Sequence, residues 1–363
     1  MKFRISCLPV MTIGPQERVS VIIPARNEEA NIARVVKSLA AQPAICEVLV
    51  VDDQSEDRTG AILAALQEEI PKLRTLRVES LPEGWLGKTH AAAMGARAAT
   101  GDWLLFTDAD TEHREGSLAD LVQRAGDESA DLLSVSPGQE TPTWWEKAVI
   151  PCVYVKLASL YRFDEVSDPH SPSAAANGQY MLIRREAYER SGGHEAVKSA
   201  ILEDVELARN IKTRGGKLVF LPGTPWVQTR MYRSFAGMWQ GWTKNLYLLY
   251  AGEGSRMLAA VASLWLLDAL PVVVFLAVCL WVAFARGGGG AALLGGGLMI
   301  LVLARQWNYG RALVRLGFEP ILAVYQPLGA ALLGALLVAS WRAHRATGNI
   351  EWKGRHYATK GKG

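Results

Sequence analysis

Residues 19–41, VSVIIPARNEEANIARVVKSLAA, decide the fold class. The run Val19–Ile23 is largely β-branched and does not alternate with polar residues, which suits a strand buried on both faces. Pro24 marks a turn, and Ile32, Val35, Val36 and Leu39 then recur at helical spacing. The unit reads as strand, polar loop, helix. Residues 47–66, EVLVVDDQSEDRTGAILAAL, repeat it with a strand at Val48–Val51, an acidic loop and a helix carrying Ile62, Leu63 and Leu66. A third strand is expected in LRTLRVES (73–80), a helix in THAAAMGARAA (89–99) and a further strand in GDWLLFTDAD (101–110).

Non-alternating strands separated by helices predict a parallel sheet covered on both faces, with ligands bound at the C-terminal strand ends. The polar clusters fall at those ends. Asn27 and Glu28 follow the first strand, Asp52 and Asp53 end the second, and Asp108 and Asp110 end a later one. The last pair would repel unless a cation lay between them, and their i, i+2 spacing puts both on one side with Ala109 on the other.

The chain has 363 residues and is 50% hydrophobic, more apolar than a soluble α/β domain requires, and the excess is concentrated in 257–341. Three runs there, Met257–Phe284, Gly287–Ala304 and Ile321–Trp341, read as membrane elements. The first exceeds the roughly 20 residues a helical span needs, so tilt or a kink at Pro271 is expected. Arg305, Arg311 and Arg315 favour the cytosolic side, and so does the basic tail 342–363. Three full spans cannot satisfy both, so one run is expected to be re-entrant or interfacial. The stripe Phe235, Met238, Trp239, Trp242 and Leu246 reads as an amphipathic interfacial helix within 231–256, the alternative being a packed core helix.

The net charge of +3, without a basic stripe interleaved with aromatics in the first half, argues against a nucleic-acid partner. The four cysteines form no C-x-x-C pair, so neither a zinc site nor a disulfide framework is expected, and a reducing compartment fits. Pro9 interrupts the N-terminal apolar run and no cleavage-type segment follows, so no signal peptide is expected.

VSVIIPARNEEANI, VLVVDDQSEDRTGA, GKTHAAAMGARAATGDWLLFTDADT, NGQYMLIRREAYERSGGH and ILEDVELARNIKTRG resemble, in order and spacing, the motifs of inverting family 2 glycosyltransferases with a GT-A fold. The similarity spans roughly residues 18–225. With the hydrophobic C-terminal part and EWKGRHY, the chain most resembles the membrane-bound, lipid-acting branch, in particular hopanoid-associated glycosyltransferases, with ceramide and carotenoid glycosyltransferases more distant.

The resemblance implies a nucleotide-sugar donor, with a UDP-sugar expected, and a divalent cation, Mg²⁺ or Mn²⁺. Asp53, or its neighbour Asp52, would accept from the uracil N–H, and the loop of Pro24, Arg26, Asn27 and Glu28 would line the same base pocket. Helix capping is the competing reading for Asp52, Asp53 and Asp57. GWLGKTH is not a Walker A loop, because Pro82 stands where its first glycine belongs. Lys88 is instead expected to neutralise the diphosphate. Asp110 is the more direct metal ligand, while Asp108 is either a second ligand or reaches the ribose. The metal would act as a Lewis acid on the leaving group. In ILEDVE, Asp204 is the implied general base and Glu203 its neighbour, the competing reading being an acidic first helical turn. Gly178 and Gln179 belong to the implied acceptor side.

The family's acceptor motif Q-x-x-R-W is only partly echoed in WQGWTKN. Gln240 and Trp242 are present, but Thr243 and Lys244 replace the Arg and Trp. This weakens a processive role and favours single transfer to a lipid hydroxyl. The rivals are a processive polysaccharide synthase and a catalytically silent sugar-nucleotide-binding scaffold. The expected organisation is a cytosolic GT-A domain over 1–230, the interfacial segment 231–256, membrane helices over 257–341 and the basic tail 342–363, in a multi-pass protein of the inner (plasma) membrane. No protein partner is implied.

Overall fold

The computed structural model describes residues 18–285, 289–346, 349–352 and 355–358. The N-terminal segment read as lacking a signal peptide, the start of the second apolar run and parts of the basic tail lie outside those residues. The first quoted run becomes strand β1 (Val19–Ala25), which continues through Pro24 rather than turning there. Pro24 keeps a strand register opposite Val51. The remaining strands are β2 (Ile45–Asp52), β3 (Leu73–Arg77), β4 (Trp103–Phe106), β5 (Thr111–His113), β6 (Leu132–Ser136), β7 (Gly138–Gln139), β8 (Met181–Arg184), β9 (Leu218–Pro222) and β10 (Val227–Thr229), with β11 (Asn349–Trp352) and β12 (Arg355–Ala358) paired as a separate hairpin. Between them lie α1 (Ile32–Ala40), α2 (Thr59–Glu69), α3 (Gly87–Ala98), α4 (Ser117–Asp127), α5 (Trp144–Leu160), α6 (Phe163–Ser167), α7 (Arg185–Ser191) and α8 (Glu203–Thr213).

The main sheet has the order β3-β2-β1-β4-β8-β6-β9, with β5-β10-β7 as a small second sheet. Its two faces are both apolar. Val19, Val21 and Ile23 join one core with Leu63 and Leu118, whereas Ile22, Leu49 and Leu104 join another with Ala92 and Ala96 of α3 and Leu207 of α8. This explains the missing alternation in the sequence.

The expectation of an all-parallel sheet is corrected at β8, which runs antiparallel to both β4 and β6. After β7 the chain builds α5 and α6 and returns to the sheet at the C-terminal end of β4, where Met181 pairs with Phe106. A strand that starts at that end must run the other way. The reversal has a consequence for the site, because it delivers Gly178 to the edge where Asp108 emerges.

The C-terminal half comprises α9 (Phe235–Leu249), α10 (Gly254–Ser263), α11 (Leu270–Ala285), α12 (Gly289–Arg315) and α13 (Gln326–Ala346). Among the described residues, two continuous helices are long and apolar enough to cross a membrane: Gly254–Phe284, with mean hydropathy 2.5, and Pro320–Arg345, with 2.0. They coincide with the first and third apolar runs. The described part of the middle run lies in α12, which is not among them. In the first, the turn Leu264–Ala269 widens to a π-helix just before Pro271, whose missing N–H cannot bond the Leu267 carbonyl. Exposed Leu280, Phe284 and Trp307 give this region an apolar outer surface of the kind that marks an interaction site.

The guanidinium of Arg305 pairs with the buried Asp268, which also accepts from Gln326 at 3.0 Å. The stripe of α9 is a packing face, since Met238, Trp242 and Leu246 are buried in one core with Val149 and Val153 of α5 and Leu336 of α13. Aromatic residues at helical spacing satisfy a core as well as an interface, so the periodicity alone could not separate the two. Ser340 of α13 is inserted into the ladder of α9: its hydroxyl donates to the Thr243 carbonyl at 2.6 Å and accepts from the Tyr247 N–H at 2.9 Å. That turn carries Lys244.

Candidate active site

The loops after β1 and β2 are laced into one rim. Arg26 donates to the carbonyls of Asp53 (2.8 Å) and Gln54 (3.1 Å), Asn27 donates its N–H to Ser55 (3.0 Å), and the Asn27 side chain accepts from the Glu56 N–H (2.9 Å). The Glu28 N–H reaches Thr59 at 2.8 Å. Asn27 and Gln54 take left-handed backbone conformations, with φ of 53° and 59°, which turn the two loops toward each other.

The capping reading holds for part of the acidic loop. Asp57 accepts from the Thr59 N–H at 2.9 Å at the start of α2, and Asp52 accepts from the Ser55 N–H at 2.9 Å, closing a turn. Asp53 is buried at the rim beside Arg26 and remains the candidate for a base contact.

One cavity brings together Pro24, Lys88, Asp108, Gly178 and Glu203. Lys88, in the first turn of α3, lies 2.8 Å from Asp108 Oδ1 and 2.9 Å from Glu203 Oε1. Burial opposes its charge, but Asp108, Glu203 and Asp204 outweigh it and hold the ammonium well above the ordinary lysine value. Lys88 therefore ties the aspartate after β4 to the acidic start of α8.

Asp204 Oδ2 accepts from the Gly178 N–H at 2.9 Å and Oδ1 from the Val205 N–H at 2.8 Å. Burial and the charge of Glu203 raise its pKa to about 6, against the pull of Lys88 and the two N–H groups. A carboxyl poised there can accept a proton near neutrality. A Cβ at 178 would be crowded, 3.0 Å from Lys88 Nζ and 3.4 Å from Asp204 Oδ2, so either side chain would have to shift to admit it.

Asp110 faces a different wall. Burial, then Asp110 and then Asp108, push up the phenol of Tyr232, so both carboxylates bear on one buried group, while Ala109 points into the core. Gln179 is buried below the cavity, its carbonyl accepting from Thr107 at 2.7 Å. Of the α9 residues expected on the acceptor side, Gln240 is exposed and Trp242 is buried between Tyr154 and Tyr232. Burial lowers Lys244 to about 8, with Glu203, Asp108 and Asp204 pulling the other way. Lys244 thus belongs to the same electrostatic cluster.

Residues 20–192 match the family described as Glycosyl transferase family 2. Over 346 residues, 94% of this chain and 88% of the relative, the sequence is 28% identical to a 4,4'-diaponeurosporenoate glycosyltransferase of Staphylococcus aureus strain MRSA252. The protein of that name from strain USA300 is 27% identical over an equal length. A mannosyltransferase from Pyrobaculum calidifontis, solved in complex with GDP-Man and Mn²⁺, shares the fold with a TM-score of 0.51 at 20% identity, covering 89% of this chain and 85% of that one. The sheet domain accordingly has a GT-A-like mixed sheet followed by helices.

Sequence reasoning missed His194, Phe106 and Met181, which also line the cavity. His194 packs against Phe106 with the rings tilted by 56° and centroids 4.6 Å apart. The signal was present as SGGH, a glycine pair that turns the chain after α7, but its target, Tyr188, could be seen only in the fold.

Proposed function

We propose that the chain transfers a sugar, with inversion, from a nucleotide-sugar, a UDP-sugar in the first instance, to the hydroxyl of a lipid acceptor at a membrane. The observation that carries this reading is Lys88 held between Asp108 and Glu203, with Asp204 raised toward neutrality alongside. A donor diphosphate requires positive charge, and an acceptor hydroxyl requires a base on the far side of the sugar. Arg26, Asn27, Glu28 and Asp53 form the nucleoside rim, and Lys88 faces the diphosphate. Asp204 takes the acceptor proton, and Lys244 adds positive charge on the acceptor side.

The donor set fits a divalent cation. Among the described residues no group of three or more His, Cys, Asp or Glu forms a metal cage. Asp108 and Asp110 supply hard oxygens only, and Mg²⁺ or Mn²⁺ bound by one or two carboxylates keeps positions for phosphate oxygens and water. When bound there, the cation would neutralise charge on the departing diphosphate. The Pyrobaculum mannosyltransferase was solved with such a pair, GDP-Man and Mn²⁺.

The relatives' name supports an apolar acceptor, and the two apolar helices support a membrane location. A catalytic domain on the cytoplasmic side would meet both the donor and the inner leaflet. The sequence resemblance favours a hopanoid acceptor, whereas the relatives' name favours a carotenoid acid. The test is transfer of radiolabelled sugar from UDP-glucose, UDP-GlcNAc or GDP-mannose into organic-phase lipid by membranes carrying the chain, with mass spectrometry of the product. Labelled lipid that disappears with Asp204→Asn supports the reading. Absence of labelled lipid from every donor with both hopanoid and carotenoid-acid acceptors refutes it.

A further inference from the structure

We propose that His194 contacts the sugar of the donor, its ring Nε2–H donating to a sugar hydroxyl, and that Tyr188 fixes the tautomer that leaves this hydrogen available. The proposal rests on the reading of the chain as a nucleotide-sugar transferase.

The geometry starts at the glycine pair. Gly192 and Gly193 have φ of 84° and 55°, and a Cβ at Gly193 would lie 2.7 Å from the ring of Tyr188. Both the turn and the close approach require glycine. The turn folds His194 back over α7, so that the Tyr188 hydroxyl accepts from the His194 backbone N–H at 3.1 Å. The same hydroxyl lies 3.0 Å from His194 Nδ1. With its lone pair facing the backbone N–H, the phenol directs its single proton to Nδ1, and the ring hydrogen is placed on Nε2.

Among the described residues no other group bonds the imidazole. The side chain is buried, packed at a tilt against Phe106, and forms part of the cavity wall with Lys88, Asp108 and Glu203. Burial first, and then Lys88, lower its pKa to about 3, so the ring is neutral. Nε2 is not among the buried polar atoms that lack a partner, and with His194 lining the cavity it is open to a ligand or water there.

The neighbours select the ligand group. A phosphate oxygen only accepts, and beside Glu203 and Asp108 it would meet two carboxylates. A sugar hydroxyl accepts from Nε2–H and donates to a carboxylate across the cavity, which satisfies both walls. The imidazole therefore suits the neutral sugar, while Lys88 suits the diphosphate.

The experiment uses the full chain in detergent micelles and titration calorimetry with UDP-glucose, UDP-GlcNAc and GDP-mannose, each against its free nucleoside diphosphate. His194→Phe keeps an aromatic ring against Phe106 and removes both nitrogens; it is expected to weaken the bound sugar nucleotide about 10-fold and leave the diphosphate unchanged. His194→Gln restores an N–H near the Nε2 position and is expected to recover most of that loss. Tyr188→Phe frees the tautomer, and ¹⁵N-histidine spectra should then show hydrogen on both nitrogens, with a loss of a few-fold. Equal weakening of sugar nucleotide and diphosphate, or no weakening with any of the three variants, overturns the proposal. Failure of the native chain to bind any of the five nucleotides overturns instead the function on which it rests.

Discussion

Lys88 and Glu203 meet at 2.9 Å across the cavity that separates the start of α3 from the start of α8. Each helix N-terminus favours negative charge, so α8 accommodates Glu203 and Asp204 in its first turn, whereas Lys88 at the start of α3 is held by the carboxylates it faces. Replacing it with methionine leaves Asp108 and Glu203 without their cation. Lys88→Met is expected to weaken nucleoside diphosphate binding about 10- to 100-fold, by calorimetry. It should also move the acidic limb of the rate profile to higher pH, because Lys88 holds the Asp204 pKa down. An unmoved limb would separate Lys88 from the base.

Asp204 sets that limb. With its pKa near 6, the carboxylate is charged and able to accept a proton above that pH, and kcat/KM is expected to fall as pH drops through 6. Asp204→Asn should lower kcat by about 10²- to 10⁴-fold with donor affinity retained. The stability effect has the opposite sense to the usual carboxylate case. Because the folded state holds this proton more tightly than the unfolded chain, the group's contribution declines as pH rises from about 4 through 6 and is flat above. Melting curves of Asp204→Asn should lack that decline. Identical pH dependence of melting in the two chains would contradict the raised pKa.

The sheet order shows how far a sequence reading reaches. Val19–Ile23 and Val48–Val51 announced two-faced burial because both faces are apolar in the chain itself. Nothing local marks β8 as antiparallel, since the direction of MLIR depends on where α5 and α6 return the chain. The site divides the same way. Asp53, Asp108, Asp110 and Asp204 were visible as acidic punctuation at strand and helix ends. His194 and Tyr232 were not, because their roles arise from contacts across separate elements: the phenol of Tyr188 in one case and the carboxylate of Asp110 in the other.

Removal of metal should act through the same carboxylates. EDTA is expected to weaken the donor, and Mn²⁺ to restore it, in the native chain; in Asp110→Ala both effects should shrink together. Paramagnetic broadening of Mn²⁺ bound with nucleoside diphosphate provides a readout independent of turnover. A native chain that binds donor equally with and without chelator would leave Lys88 and Lys244 as the only charges opposite the diphosphate.

Gly178 offers a finer probe. In Gly178→Ala the new methyl group would meet Lys88 Nζ at 3.0 Å and Asp204 Oδ2 at 3.4 Å, so the two charged groups must give way while the fold is kept. Turnover is expected to fall about 10-fold or more, with a melting temperature close to native. A large loss of stability would instead show that the N–H bond to Asp204 secures the loop before β8.

The sheet domain and the helices are joined by a buried charge. Glu146 is only 2% exposed, lies in the first turn of α5, and accepts from Arg230 Nε at 2.9 Å just after β10. It also accepts from the Thr143 N–H at 2.8 Å, completing a capping box. Arg230→Met removes one partner and leaves a carboxylate buried, which is expected to destabilise the chain by about 3 kcal/mol. Adding Glu146→Gln should recover part of the loss, because the neutral amide no longer requires a cation. A double-mutant cycle on thermal unfolding in detergent measures the coupling. If the two losses simply add, the capping box rather than the ion pair anchors α5 to the sheet, and the path from β10 to the membrane helices runs through packing alone.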